Sequence, residues 1–295
     1  MIMTIFEKIR QGSYLLTINP YLFFKYFKTR FKRISPQWIS SRPPGNTLKK
    51  CHGVFLNVDF QYLGWNSYTK QIYFDCYEIP LVEFMKKVLK KGDIFIDIGA
   101  NIGYLTAIGA SLVGKNGQVY SFEPAPQIFN FLKKIAKINP EYKIIANQYA
   151  LGEKPGLVKM DFAKPPYDGG STIVKNLLNK NIDKETIDVL LIRLDDYIKE
   201  KKINKISLIK IDVEGFELPV LKGLENYFKE TANRPTIICE IAPGAYPLLG
   251  YKREELMDYM RKYGYEAYNI MNPRLRTDIA KFREGTNVVF KAVKI

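Results

Sequence analysis

The sequence predicts an α/β protein built on a doubly wound sheet, mostly parallel, with an antiparallel C-terminal strand and an N-terminal helical and hairpin appendage. Three observations carry that prediction. Short apolar runs rich in β-branched residues, such as Ile94–Ile98 and Ile206–Val213, alternate with stretches of helical periodicity. That is the pattern of strands buried on both faces and joined by crossover helices. Asp93–Thr106, DIFIDIGANIGYLT, reads strand, glycine turn, helix. The last two apolar runs, Tyr265–Ile270 and Asn287–Val293, have no helical pattern between them, which favours antiparallel pairing at the end of the sheet.

Taken in order, residues 1–50 form a basic, aromatic appendage. As a helix, Tyr21–Arg33 would place Phe24, Phe27 and Phe31 on one face and Lys25, Lys28 and Lys32 on the other. This suits a helix lying on an anionic bilayer or docking an apolar groove; a helix packed on its own domain with a solvated lysine face fits equally well. Arg42–Asn46 reads as a linker or turn. Residues 51–92 read as a hairpin and a helix leading into the core. Val54–Val58 and Gln71–Phe74 are its strand-like runs, and Pro80 opens a helix that stops at Lys91-Gly92. The core domain, residues 93–295, continues with a helix on Leu105, Ile108 and Leu112 that ends at Gly114. There follow a strand at Gln118–Phe122, a helix from Pro126 to Asn139-Pro140, and a strand at Lys143–Ala146. Leu157–Phe162 is a side strand, and Pro165–Thr172 a loop suited to a lid or substrate contact. Val189–Arg193 is a strand before a short helix, Leu194–Lys199. After Ile206–Val213 comes one helix through Leu218, Leu221, Leu224 and Phe228, then a strand at Pro235–Ile241 and a helix at Glu254–Tyr263.

The glycine turn points to a ligand. Gly99 and Gly103 permit positive φ and close backbone approach, and the N–H groups at the helix start would face that ligand. The spacing is G-x-N-x-G, without the longer anionic cradle of the dinucleotide fingerprint G-x-G-x-x-G. Asp97 before the turn would repel a phosphate but suit an ammonium, so a ligand with a zwitterionic amino-acid end fits, and S-adenosylmethionine has one. A tight structural turn is the plain alternative. Acids also stand at other strand ends: Glu123, Asp212 with Glu214, and Glu240. In an open α/β sheet these would converge on one pocket, where a cationic sulfonium with an amino group and a ribose diol would offset their repulsion. Glu123 suits the ribose hydroxyls, and the Tyr149-Ala150-Leu151 turn lies where an adenine would sit. Asp212 and Glu214 flank a strand end close to the reacting methyl, as a general base or to orient an acceptor hydroxyl; Glu214 as a helix cap and Asp212 paired with Lys210 is the alternative. His52, the only histidine, falls in the hairpin. No metal-binding spacing stands out, although Asp212 and Glu214 are of the type that holds a hard divalent ion.

Composition narrows the function classes. The chain has 295 residues, 46% hydrophobic and 25% charged, and a net charge of +15. Residues 1–50 carry ten Lys/Arg against one acid, a net +9, which leaves +6 for the other 245 residues. A uniformly basic surface for nucleic acid would not look like this. No apolar run reaches the ~18 residues of a membrane-spanning helix. Cys51, Cys76 and Cys239 are isolated, and the first apolar residues are broken by Glu7, Lys8 and Arg10. These features predict a cytoplasmic, reducing location, with residues 21–33 the candidate for peripheral membrane contact.

The ordered pieces Tyr77-Glu78, FIDIGANIGYLT (95–106), FEP (122–124), ALG (150–152), RLDDYI (193–198), LIKIDVEGFE (208–217) and IICEI (237–241) resemble the FkbM-like family of S-adenosylmethionine-dependent methyltransferases. The resemblance implies a class I methyltransferase fold, with S-adenosylmethionine as cofactor, and O-methylation of a sugar, glycan or natural-product hydroxyl. By the match, Asp97, Gly99, Ala100, Asn101 and Gly103 would hold the methionine part, Glu123 with Pro124 the ribose, and Ala150 and Leu151 the adenine. Glu78 would reach the donor from the preceding segment. Asp212, Glu214 and Glu240 would form the acceptor side. Two other readings stay open at this point: a nicotinamide-dependent oxidoreductase, and a non-catalytic membrane-associated scaffold with a degenerate donor pocket.

Overall fold

In a computed structural model of the chain, the residues described are 45–73, 75, 77–166, 170–231 and 234–293. The amphipathic segment 21–33, and with it the membrane reading, lies outside them. The chain begins with β1 (Asn46–Cys51), β2 (Val54–Asp59), α1 (Phe60–Leu63), α2 (Ser67–Tyr73), α3 (Ile79–Val88), β3 (Ile94–Ile98), α4 (Tyr104–Val113), β4 (Gln118–Phe122), α5 (Pro126–Ile138) and β5 (Lys143–Asn147). It continues with β6 (Ala150–Leu151), β7 (Gly156–Ala163), β8 (Lys184–Ile192), α6 (Leu194–Glu200), β9 (Leu208–Ile211), α7 (Glu217–Lys222), α8 (Glu225–Glu230), β10 (Thr236–Ile241), α9 (Arg253–Lys262), β11 (Tyr265–Asn269) and β12 (Thr286–Ala292).

Seven strands form the central sheet in the order β11-β12-β10-β9-β3-β4-β5. β10, β9, β3, β4 and β5 pair in parallel, and β12 runs antiparallel between β10 and β11. The sheet is therefore α/β, mostly parallel, with the antiparallel strand expected at the C-terminal end. The continuous apolar runs follow from burial on both faces. Phe95, Val119, Leu208 and Ile238 pack into one core layer with β2, α3, α4 and α5. Ile96, Ile98, Phe122, Ile209, Ile211 and Ile237 pack into the other, against α6 to α9.

Three expectations are corrected. The hairpin forms, but β2 pairs with β1 rather than with Gln71–Phe74, and residues 67–73 are helical. His52 (φ 48°) and Gly53 (φ 92°) supply the two left-handed residues of a tight hairpin turn. Asn66 and Thr69 start α2 by reciprocal bonds, Thr69 N–H to Asn66 Oδ1 at 2.9 Å and Asn66 N–H to Thr69 Oγ1 at 3.1 Å. Asn139 then ties the hairpin to the end of α5 by accepting from Phe55 N–H at 2.7 Å and donating to Phe55 O at 2.8 Å.

The helix expected through Leu218–Phe228 is two helices broken at Gly223. A β-carbon there would stand 2.3 Å from Gly152 O, so the chain crosses too closely for any side chain. Asp195 restarts the helix by accepting from Asn226 and Tyr227 N–H at 3.0 and 2.9 Å. Finally, Leu157–Phe162 and Val189–Ile192 lie in longer strands of a separate sheet, β6-β8-β7, and Arg193 stands at the head of α6.

Candidate active site

The carboxyl ends of β3, β4, β9 and β10 open into one cavity, closed over by the segment before α3, the residues after β5 and Ser171–Ile173. Of the residues singled out from sequence, Glu78, Gly99, Ala100, Asn101, Glu123, Pro124, Ala150, Leu151, Asp212, Glu214 and Glu240 line it. Asp97 and Gly103 do not.

Asp97 is fully buried beneath α4. It sits in a polar row across the sheet, opposite Ser121 on β4 and Lys210 on β9. Thr106 donates to Asp97 Oδ2 at 2.6 Å and shares a 2.8 Å bond with Ser121 Oγ. Lys210 Nζ lies 3.7 Å from Asp97 Oδ1. Asp97 is thus held from within the sheet, with Oδ1 making no hydrogen bond among the described residues, and its contact with a donor ammonium stays a proposal. Gly103 (φ 87°) leaves room for α5, since a β-carbon there would meet Ile135 Cδ1 at 2.7 Å and Leu132 Cδ1 at 2.9 Å.

The turn amides are also spent internally rather than facing a ligand. Gly99 and Ala100 N–H donate to Phe122 O at 3.0 and 2.9 Å. Asn101 N–H donates to Glu123 Oε2 at 2.9 Å, Ile102 N–H to Asn101 Oδ1 at 2.7 Å, and Gly103 N–H to Ala100 O at 2.9 Å. Left-handed Asn101 (φ 51°) suits this weave, because asparagine tolerates that region.

Glu123 fixes the turn with one oxygen and the start of α5 with the other, accepting from Ala125 N–H at 3.0 Å. Burial pushes its carboxyl up to about 7, against those two amide bonds. Glu78 is left-handed (φ 47°) at the head of α3 and accepts from Asn287 Nδ2 at 3.1 Å. Burial, then the charge of Asp212, raises it to about 7. Among the described residues no basic side chain makes ion-pair contact with Glu78. A buried carboxyl held this way suits a ligand cation.

Asp212, Glu214 and Glu240 bring one carboxylate oxygen each within 4.8 Å of one another. Asp212 pairs with Lys210 Nζ at 3.2 Å, and the proximity of Asp212 and Glu240 lowers the first carboxyl and raises the second. The cluster thus already holds compensating charge. Left-handed Glu214 (φ 50°) and Gly215 are pinned in place. Thr172 Oγ1 donates to Glu214 O at 2.8 Å, Tyr251 OH to Gly215 O at 3.1 Å, and Gly215 N–H to Glu217 Oε1 at 2.7 Å.

Sequence reasoning missed Lys210, Asn287, Tyr104 and Phe216 as wall residues. Only Lys210 left a signal, a lysine inside an aliphatic strand. Phe122, Tyr149, Leu151 and Phe216 add apolar surface to the wall, of a kind suited to a planar base. The carboxyls of Glu78 and Glu123 and these apolar side chains line one cavity, a mixture compatible with S-adenosylmethionine.

The comparisons agree. The family model described as a methyltransferase FkbM domain matches residues 97–267. The hexuronic acid methyltransferase AglP of Haloferax volcanii is 27% identical over 170 residues, 58% of this chain and 64% of that protein. The 31-O-demethyl-FK506 methyltransferase FkbM of Streptomyces tacrolimicus is 31% identical over 162 residues, covering 47% of this chain and 62% of that protein. The chain thus spans a little under two thirds of the length of these two relatives. The crystal structure of a methyltransferase FkbM from Methylobacillus flagellatus KT aligns at 17% identity and a TM-score of 0.41, over 77% of this chain and 55% of that one. With more than half its length matched, the chain belongs to the FkbM methyltransferase-domain family, whose methyl donor is S-adenosylmethionine.

Proposed function

We propose that the protein is an O-methyltransferase that passes a methyl group from S-adenosylmethionine to a hydroxyl of a sugar, glycan or small metabolite. One observation carries the reading: the acid cluster Asp212, Glu214 and Glu240 opens on the same cavity as Glu123, Glu78 and the glycine turn. The bound donor supplies an electrophilic methyl, which the acceptor oxygen takes as the carbon–sulfur bond breaks and the hydroxyl proton is released. Glu78 offers a counter-charge to the methionine end, Glu123 faces the ribose, and the Tyr149–Leu151 turn flanks the base. Asp212, ionised beside Lys210, accepts or orients the acceptor proton, and Glu214 and Glu240 shape that side. Such proton assistance contributes about 10²–10⁴-fold, and alignment of the reacting atoms supplies more.

Acceptor chemistry differs among the relatives, whose names specify a hexuronic acid and 31-O-demethyl-FK506; a hydroxyl is the reading this cavity supports. The test is incubation of the purified protein and a metabolite extract with methyl-labelled donor, followed by mass spectrometry. A product whose fragments place the labelled methyl on a former hydroxyl oxygen supports the proposal; a methylated amine or a carboxylate methyl ester replaces it. Donor binding with no turnover on any extract would favour the scaffold reading. The nicotinamide reading is disfavoured by the family match and the G-x-N-x-G turn, and a thermal-shift comparison of NAD with S-adenosylmethionine decides it.

No helix among the described residues is long and apolar enough to cross a membrane. Peripheral contact through residues 21–33 remains a proposal, and unchanged sedimentation with anionic liposomes after deletion of residues 1–42 would end it.

A further inference from the structure

Lys210 stands where the surrounding pattern asks for an aliphatic residue. It interrupts Leu208, Ile209 and Ile211 in the middle of the sheet, and its side chain is 3% exposed. Taking an ammonium out of water costs several kcal/mol unless acceptors replace its hydration. The acceptors that do so belong to different parts of the site. Nζ donates to Gly99 O at 2.9 Å, in the donor turn. It lies 3.2 Å from Asp212 Oδ2 on the acceptor side and 3.7 Å from Asp97 Oδ1 beneath α4. Among the described residues, Lys210 is the only basic side chain in the cavity wall.

Asp212 is faced by groups from every element around it. Lys210 and Glu214 stand on its own strand and turn, Glu217 at the start of α7, and Glu240 on β10. Asp97 stands on β3, and Tyr77 and Glu78 come before α3. Of these only Lys210 is positive. The carboxylates of Asp212 and Glu240 lie within 4.8 Å of each other, and the ammonium makes ion-pair contact with Asp212 but, among the described residues, not with Glu240.

We propose that Lys210 is a positioning residue for methyl transfer. It fixes the donor turn through Gly99 and keeps Asp212 the ionised member of the Asp212–Glu240 pair, so that a fixed negative charge stands where the donor's cation binds. The inference rests on the reading of Asp212 and Glu240 as the acceptor-side pair. Proton affinities agree in direction. Burial works against the Asp212 charge, yet Lys210 and the hydrogen bond from Glu240 hold its carboxyl below the ordinary range. The charge of Asp212, and then burial, push Glu240 well above it.

The test needs no acceptor. Calorimetry on the full chain compares S-adenosylmethionine, a sulfonium, with S-adenosylhomocysteine, its neutral thioether, from about pH 4 to about pH 8. The ratio of the two affinities reports negative charge near the sulfur and cancels losses common to both ligands. In Lys210→Met the pH curve of that ratio moves upward by about one pH unit or more, because Asp212 loses its counter-ion. Lys210→Arg, which keeps the charge, holds the wild-type curve. In an Asp212→Asn background, removing Lys210 leaves the curve unmoved.

Superimposed curves for wild type and Lys210→Met overturn the proposal, as does a displacement that persists in Asp212→Asn. Should Lys210→Met not fold by circular dichroism, Asp212→Asn alone decides. A ratio about tenfold lower in a folded protein is expected, and an unchanged ratio overturns the inference. Wild-type protein that binds neither ligand would instead sink the donor-site reading.

Discussion

Substituting Gly99 by alanine separates two reasons for a glycine at the head of the turn: room for a ligand, or room for the chain itself. A β-carbon at Gly99 would lie 1.8 Å from the carbonyl oxygen of Asp212 and 2.9 Å from its carbonyl carbon, at a φ of +70°. The left-handed conformation costs a residue with a β-carbon about 1–2 kcal/mol. The contact is with backbone, so relief requires moving the end of β9, an overpacking cost of about 1–3 kcal/mol. The sum, about 2–5 kcal/mol, is a large share of the ~5–15 kcal/mol that holds a typical domain folded. Both terms act inside the protein, so the loss is expected without donor. With a urea slope of about 2–3 kcal/mol per molar, the unfolding midpoint of Gly99→Ala falls by about 1–2 M. Donor affinity falls with it, because Gly99 O and Asp212 share the Lys210 ammonium. Gly156→Ala is the control, since nothing lies within 4 Å of a β-carbon there, and a change within about 1 kcal/mol is expected. A Gly99→Ala protein with the wild-type midpoint but weakened donor binding would refute the reasoning, for the glycine would then serve the ligand.

Three further outcomes are expected. Asp97→Asn breaks a buried ion pair with Lys210 and should cost about 3–5 kcal/mol in urea unfolding, whereas Glu78→Gln should leave the urea midpoint near wild type and weaken S-adenosylmethionine binding about tenfold or more; the reverse pattern would restore Asp97 as the donor contact. Thr172→Val removes the bond to Glu214 O and should lower stability by about 1 kcal/mol, with Thr172→Ser recovering it; equal losses in both variants would show that the hydroxyl is not responsible. Burial raises Glu78 and Glu123 to about 7 and Glu217 to about 8 from an ordinary 4.5. The unfolded chain releases these protons near 4.5 while the folded chain keeps them to about 7–8, so the folded state binds more protons in between and stability is lost as pH rises through that window. The melting temperature of the donor-free protein should therefore fall from about pH 5 to about pH 8, and S-adenosylmethionine should stabilise it more at the higher pH; a melting temperature that rises across that range would contradict the assignment.

Much of the scaffold could be read from local pattern. β3, β4 and β10 fall within a residue or two of the apolar runs that announce them, because both of their faces are largely buried and nearly every position reports it. β1 could not be read in this way. Its outward face is solvated, Leu48 is 58% exposed, and its alternation of charge and apolar residues looks like linker. The single helix expected after Asp212 breaks at Gly223 for a reason no local pattern contains, the passage of Gly152 O. The same limit governs the site. The acids at the strand ends were legible because strand ends in a parallel sheet share one rim, and all but Asp97 reach the cavity.

By itself, the sequence determined the succession of the central parallel strands, the glycine turn, and the set of carboxyls gathered at one edge, since periodicity and strand-end position are properties of the local chain. Only the tertiary structure decided that Asp97 faces inward to Thr106 and Lys210, that Gly99 makes way for Asp212, and that Asn287 meets Glu78 from 209 residues away. Those are matters of which backbones cross and which charges share a buried space, and packing across the sheet sets both.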